Sequence, residues 1–319
     1  MASQIDSEKT PDKKPKTKDW RFWATIIASI AAVIFVVWQR KSILASLKEI
    51  SQADPVWLLV SIAAHLGSVL AAAAVYWQIS LNPTKYFNLA VAQASSLFTA
   101  RVTPAGVGGV ATMGRVLQMS GHNAAELGAV LSTNAIVTFL GNVSITIFAL
   151  ILSGRSVMDG FKIPKIIFLI PVFLAIAIAI VYFVGSLRQK VVSFIKDLIK
   201  TLARYRHKKR GLAIGFFFGL LTTIGYMIAL WAAGQSVGVS LSFVAAIVTI
   251  SLGTLGASAT PLPGGVVGAE ATLALTMTQF GVPPEKALAV AFIYRFITYW
   301  LPILPGYIAT QYALRKKIL

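Results

Sequence analysis

Four ionisable side chains stand inside otherwise apolar runs of this 319-residue sequence: Arg101, Arg115, Glu270 and Arg295. A charge at the centre of a bilayer costs about 3 kcal/mol even on lenient insertion scales, so such residues pair, face a wet cavity or hold a ligand. An arginine fork matches the oxygens of a phosphate bidentately. Glu270 has three roles open to it: partner of Arg295, proton-coupling carboxylate, or contact for a cationic headgroup. The plain alternatives are a static Glu270–Arg295 pair that fixes helix register, and snorkelling of Arg101 and Arg115 to the inner surface.

Two similar breaks lie beside these charges. Thr103, Pro104, Gly106, Gly108 and Gly109 interrupt one apolar run, and Thr260, Pro263, Gly264, Gly265 and Gly268 interrupt another. Helices that start after Gly109 and after Gly265 present unpaired backbone N–H groups and a positive dipole end, and glycine lets a ligand approach closely. Two such termini arriving from opposite faces would cradle an anion near the midplane, with phosphate the natural occupant. Broken helices survive at that depth only where protein or water surrounds them, and a matched pair of breaks marks a transport site. The expected binding set is these ten residues with Arg115, Glu270 and Arg295. Kinking for packing alone is the competing explanation for each break.

No nucleophile and base pair, Walker loop or metal-ligand cluster is present, and there are no cysteines. The expectation is therefore a non-enzyme with no catalytic residues, no metal and no cofactor. His65 and His122 read as packing or loop histidines. Glu126 and Glu285 follow Gly121 and Gly281 and read as helix-start carboxylates that complement the dipole.

The elements that must carry these residues follow from composition. With 56% hydrophobic and 13% charged residues and a mean hydropathy of +0.75, the chain is predicted to be an all-α polytopic membrane bundle. Its net charge of +18 sits in tails and loops without a nucleic-acid motif, so it reads as a topology signal and a contact to anionic lipid. Residues 1–20 form a disordered basic cytoplasmic tail, and residues 21–319 the transmembrane domain, beginning with an uncleaved span at 22–38. Each arm around a break is roughly 15 residues, short of the roughly 20 needed to cross, so each break is expected to make a re-entrant hairpin. Two inverted repeats result, about 55–153 and 211–314, linked by a crossing at 164–187 and an amphipathic basic helix at 188–210. Lys and Arg bias places both termini in the cytoplasm, in the cell inner (plasma) membrane. Gly211, Gly215 and Gly219 form a small-residue ridge expected to pack inside the bundle.

Thr260-Pro-Leu-Pro-Gly-Gly-Val-Val-Gly-Ala-Glu270 with Gly281, Arg295 and Leu301-Pro-Ile-Leu-Pro-Gly306 resembles the membrane region of lysylphosphatidylglycerol synthases, a family of flippase-like integral membrane proteins. Pro104-Ala-Gly-Val-Gly-Gly109 with Arg115 and Gly121 supports the likeness, which runs from about residue 55 to the C-terminus. The resemblance implies movement of a charged phospholipid between leaflets, or service to a lipid-linked envelope precursor such as a polyprenyl-phosphate sugar. It shows no counterpart of the soluble aminoacyl-transfer domain, so synthesis of lysyl lipid is not expected. Many relatives carry an acid soon after the first break, whereas Val110-Ala-Thr-Met-Gly114 has none, which favours a plain phosphate or pyrophosphate lipid over a cationic headgroup. The expected partner is an anionic membrane lipid, with a homo-oligomer or an envelope-enzyme partner compatible with the sequence. A non-transporting subunit that recruits or regulates an envelope enzyme, and a carrier of a small soluble anion, are the rival readings.

Overall fold

A computed structural model describes residues 48–103, 106–160, 189, 196, 205, 208–260, 265 and 267–319. The tail at 1–20, the span at 22–38, the crossing at 164–187, most of the basic helix at 188–210, and Pro104, Pro263 and Gly264 lie outside the described residues. Among the described residues the structure is helical throughout, without strands. The helices are α1 (Pro55–Ile79), α2 (Tyr86–Val102), α3 (Val107–Met119), α4 (Ala124–Gly160), α5 (Lys209–Ser236), α6 (Phe243–Ala259), α7 (Gly268–Gln279) and α8 (Pro284–Arg295). A π turn at Phe296–Trp300 joins α8 to α9 (Ile303–Arg315).

Among the described residues, four helical stretches are long and apolar enough to cross a bilayer: Pro55–Ile79, Ala124–Phe148, Lys209–Ser236 and Pro284–Arg315. Their outward faces carry large apolar side chains, among them Leu59, Phe139, Phe148 and Leu304. In water such exposure would drive association, whereas toward lipid tails it carries no penalty. Asp54 starts α1 by accepting from the Val56 amide at 2.8 Å with Pro55 at the first helical position, and its own amide donates to Ser236 at the end of α5.

The α1–α5 contact is the central seam. A Cβ added at Gly211 would stand 2.6 Å from the Gln78 carbonyl oxygen, one at Gly215 would stand 2.9 Å from Ile79, and one at Gly219 would touch Val137 of α4. The glycine ridge therefore packs inside the bundle, because only a missing side chain lets the backbones approach this closely. Gly225 is equally tight, with Ser68 Cβ at 2.8 Å from an added Cβ, while Gly67 on the facing helix has nothing within 4 Å. Gly225→Leu is expected to cost about 1–3 kcal/mol by overpacking, read as a lower thermal midpoint in detergent. Gly67→Ala should leave the midpoint unchanged or raise it, because it adds helix propensity in open space.

The described residues that flank the two breaks share several contacts. Thr103 Oγ1 donates to the Thr99 carbonyl and accepts from the Gly108 amide at 2.8 Å; Thr112 bonds back to the Gly108 carbonyl. Thr260 likewise bonds the Gly256 carbonyl, Thr272 bonds the Gly268 carbonyl, and a Cβ on Gly268 would strike the Thr260 hydroxyl. Both arms then end in the same turn: Gly121 (φ 85) and Gly281 (φ 82) are left-handed, with the next amides, His122 and Val282, returning to Leu117 and Met277 at 3.2 Å.

The open ends of each hairpin stay together. The α2–α3 pair begins and ends beside the α1–α2 loop, where Asn82 donates to the Gly121 carbonyl and to Glu126. The α6–α7 pair begins and ends beside the α5–α6 loop, where Val237, Val239, Leu241 and Val282 share one apolar cluster and Lys286 donates to Val237. Lys208, at the start of α5, donates to Ser80 and Leu81, so the first set of ends lies near the N-terminus of α5 and the second near its C-terminus.

Candidate functional site

Pro302 shapes the site through what it lacks. Without an N–H it cannot close the helical bond to Thr298, and its ring crowds that carbonyl. The chain responds with a five-residue π turn, in which the Leu301 amide reaches Phe296 at 2.8 Å. The released Thr298 carbonyl is taken by Arg101, whose Nη2 donates to it at 2.7 Å. A second guanidinium nitrogen of Arg101 donates to the Leu97 carbonyl in the last turn of α2. Arg101 thus links the end of the first broken arm to the final span.

The turn also aims Tyr299 at two cations. Arg101 lies 4.8 Å from the Tyr299 ring centroid and Arg295 lies 4.4 Å from it. Each is within cation–π range, but two like charges so near one ring repel each other unless a negative charge joins them. Arg295 Nε donates to Glu270 Oε1 at 2.8 Å, a part-buried ion pair. The other carboxylate oxygen, Oε2, and Arg101 Nε are buried without a partner among the described residues.

Arg101, Arg295 and Tyr299 border a cavity of about 370 Å³ between α2, α4, α5, α6, α7, α8 and the π turn. Its wall combines Arg101 and Arg295 with the hydroxyls of Thr222, Thr223, Tyr226, Tyr294, Thr298 and Tyr299, together with Asn142. Among the described residues no carboxylate lines it, and Glu270 pairs with Arg295. A chamber walled by two fixed guanidinium groups favours an anion with several oxygens. Among the described residues no cluster of metal-ligand side chains occurs.

Of the residues expected from sequence, Arg295 lines this cavity, and Glu270 reaches it only through its ion pair with Arg295. Arg115 is exposed on α3, where it donates to Gln118 at 3.1 Å, and it is not part of the wall. Thr103, Gly106, Gly108, Gly109, Thr260, Gly265 and Gly268 form the hairpin turns themselves and do not line the cavity. The Gly108 amide is taken by Thr103, so that helix start holds its first-turn donor internally. Pro104, Pro263 and Gly264 lie outside the described residues. His122 is a buried turn residue: Nδ1 meets the Leu117 carbonyl at 2.8 Å and Nε2 meets Ser80 and the Asn82 amide. His65, also buried, sits against Tyr226 with ring centroids 5.6 Å apart, and neither of its ring nitrogens has a partner among the described residues.

Arg101, set beside Arg115 by sequence as a residue able to snorkel, is the second cation of the wall. Its signal is Pro302, which orphans a carbonyl that a long donor must satisfy. The wall tyrosines and threonines carry no comparable signal, since hydroxyl residues on apolar helices more often bond back to their own backbone, as Thr222 and Thr298 do here.

Residues 22–306 match the family model described as the lysylphosphatidylglycerol synthase TM region. A UPF0104 membrane protein of Methanocaldococcus jannaschii is 25% identical over 242 residues, covering 67% of this chain and 70% of the relative. A UPF0104 membrane protein of Methanothermobacter thermautotrophicus is 29% identical over 116 residues, which is 36% of this chain and 34% of that relative. With most of its length matched and several helices fit to cross a bilayer, the chain is a multi-pass membrane protein that belongs to the lysylphosphatidylglycerol synthase transmembrane-region family.

Proposed function

We propose that the protein is a flippase or transporter of an anionic, phosphate-containing lipid in the inner membrane, working without covalent chemistry or a cofactor. The observation that carries this reading is the concentration of partly buried positive charge: Arg101 and Arg295 border one cavity, and Glu270, which pairs with Arg295 behind its wall, is the carboxylate partner seen among the described residues. A phosphate docked there would meet both guanidinium forks and the surrounding hydroxyls. An aminoacylated phosphatidylglycerol and a polyprenyl-phosphate-linked precursor both present such a group.

Tails need an apolar path, and a groove of about 660 Å³ between α1 and α5 supplies one, lined by Leu70, Ala74, Leu221 and Ile228. It uses a different face of α5 from the one that borders the cavity. The hairpins support the mechanical half of the proposal. Each returns to the end at which it began, at opposite ends of α5, as re-entrant hairpins of two inverted repeats would do. Rocking of one repeat against the other would then open the cavity to each leaflet in turn, with both termini cytoplasmic.

The test is lipid translocation in proteoliposomes, read as protection of fluorescent phosphatidylglycerol, or of a fluorescent polyprenyl phosphate, from an impermeant quencher. Wild type is expected to move at least one of these faster than protein-free vesicles, and Arg101→Met to slow it at least tenfold. Equal rates for wild type, variant and protein-free vesicles with both probes would reject the proposal.

A further inference from the structure

A second anion site stands on the face where the N-terminus of α2 meets the end of the chain. Lys85, Lys316 and Lys317 border a pocket of about 290 Å³ there, together with Asn88, Ser120 and Tyr312. None of its lining residues is acidic. The lysines come from two places in the chain, the start of α2 and its C-terminal end, and the fold brings them together. Lys317 adopts φ 53, a left-handed conformation that costs a side-chain-bearing residue roughly 1–2 kcal/mol. That turn is closed by the Ile318 amide donating to Ala313 at 2.9 Å, and it folds Ile318 and Leu319 back onto the apolar cluster around Leu89, Val116 and Leu117. The fold therefore holds Lys316 and Lys317 over α2, where glycine would have given the same turn without a charge.

The surface beneath the lysines adds to the same field. Lys85 is the N-cap of α2, and it offers no side-chain acceptor to the first amides of that helix. Lys85, Phe87 and Asn88 of this helix start line the pocket, which places its basic lining at the positive dipole end of α2. The rim is apolar: Phe87, Met119 and Tyr312 are exposed, and the Phe87 and Tyr312 rings meet edge to face at 6.2 Å. Charge complementarity selects a phosphate, and an aromatic and aliphatic rim continuous with bilayer-facing helices selects one attached to lipid.

We propose that Lys85, Lys316 and Lys317 form a binding site for the phosphate headgroup of an anionic phospholipid, separate from the cavity between Arg101 and Arg295. The site anchors the open ends of the α2–α3 hairpin and the C-terminal helix to one leaflet. It does not depend on transport, because its residues and the cavity residues do not overlap.

Native mass spectrometry of the full chain in detergent, titrated with phosphatidylglycerol, tests this directly. Wild type is expected to carry a tightly held lipid that Lys85→Gln/Lys316→Gln/Lys317→Gln binds about a hundredfold more weakly, at roughly 1 kcal/mol per lysine. The triple Lys→Arg variant should keep it, which separates charge from folding. Arg101→Met should keep it too, so loss of the cavity ligand and loss of this lipid are distinguishable. Phosphatidylcholine should not replace it, and glycerol phosphate at equal concentration should not displace it. Unchanged phosphatidylglycerol affinity in the triple glutamine variant would overturn the proposal, and displacement by glycerol phosphate would assign the site to a soluble phosphate instead.

Discussion

Arg295→Met is expected to be among the most damaging single substitutions in the cavity, and Glu270→Gln in the same chain is expected to repair most of its stability loss. The ion pair at 2.8 Å is buried at Glu270 and part-buried at Arg295, and removing the arginine leaves a buried carboxylate without this partner, at a cost approaching the roughly 3 kcal/mol of a fully buried pair. Replacing both partners by neutral groups of similar size removes that cost, so the double variant should recover most of the thermal midpoint measured in detergent. Lipid phosphate binding should not recover, because the guanidinium is gone in both variants. Recovery of stability together with binding would mean that Arg295 serves only to hold helix register.

Arg101→Met is expected to show the opposite balance. Its guanidinium meets carbonyls and the Tyr299 ring, and no carboxylate among the described residues is stranded by its loss. The structural cost is the orphaned Thr298 carbonyl, about 1–3 kcal/mol. Binding of an anionic lipid should fall by at least tenfold, since one of two cations leaves a poorly solvated cavity, with the helical fold retained by circular dichroism. Arg101→Lys should restore charge but only part of the affinity, because an ammonium cannot offer the planar fork that reaches both a carbonyl and a phosphate. Equal affinity in wild type and Arg101→Met would remove the charge argument on which the site rests.

Much of the fold is legible in the residues because it follows from breaks and small side chains. Thr103 and Thr260 end their helices, Gly121 and Gly281 sit in matching left-handed turns, and the glycine ridge faces α1 and α4. These are local constraints, and a bilayer leaves few ways to satisfy them. The site was less legible. Val110 and Glu270 hold corresponding places after their breaks, yet Val110 is exposed while Glu270 pairs with Arg295, so the halves diverge where chemistry is placed. The sequence singles out helix termini as the anion cradle, whereas the cavity wall is made of side chains. The reason is visible at Gly108, whose amide is already held by Thr103, and at Pro302, whose effect falls on a residue four positions earlier and on an arginine from another hairpin.

The central claim is that a lipid phosphate occupies the space between Arg101 and Arg295. Cryo-electron microscopy of the protein in nanodiscs containing phosphatidylglycerol, with bound lipid identified by mass spectrometry of the same sample, tests it most directly. The account predicts phosphate density within hydrogen-bonding distance of both guanidinium groups and its loss in Arg101→Met. A cavity holding only water in the lipid-bound sample, with Arg101 and Arg295 turned to protein carboxylates, would contradict it.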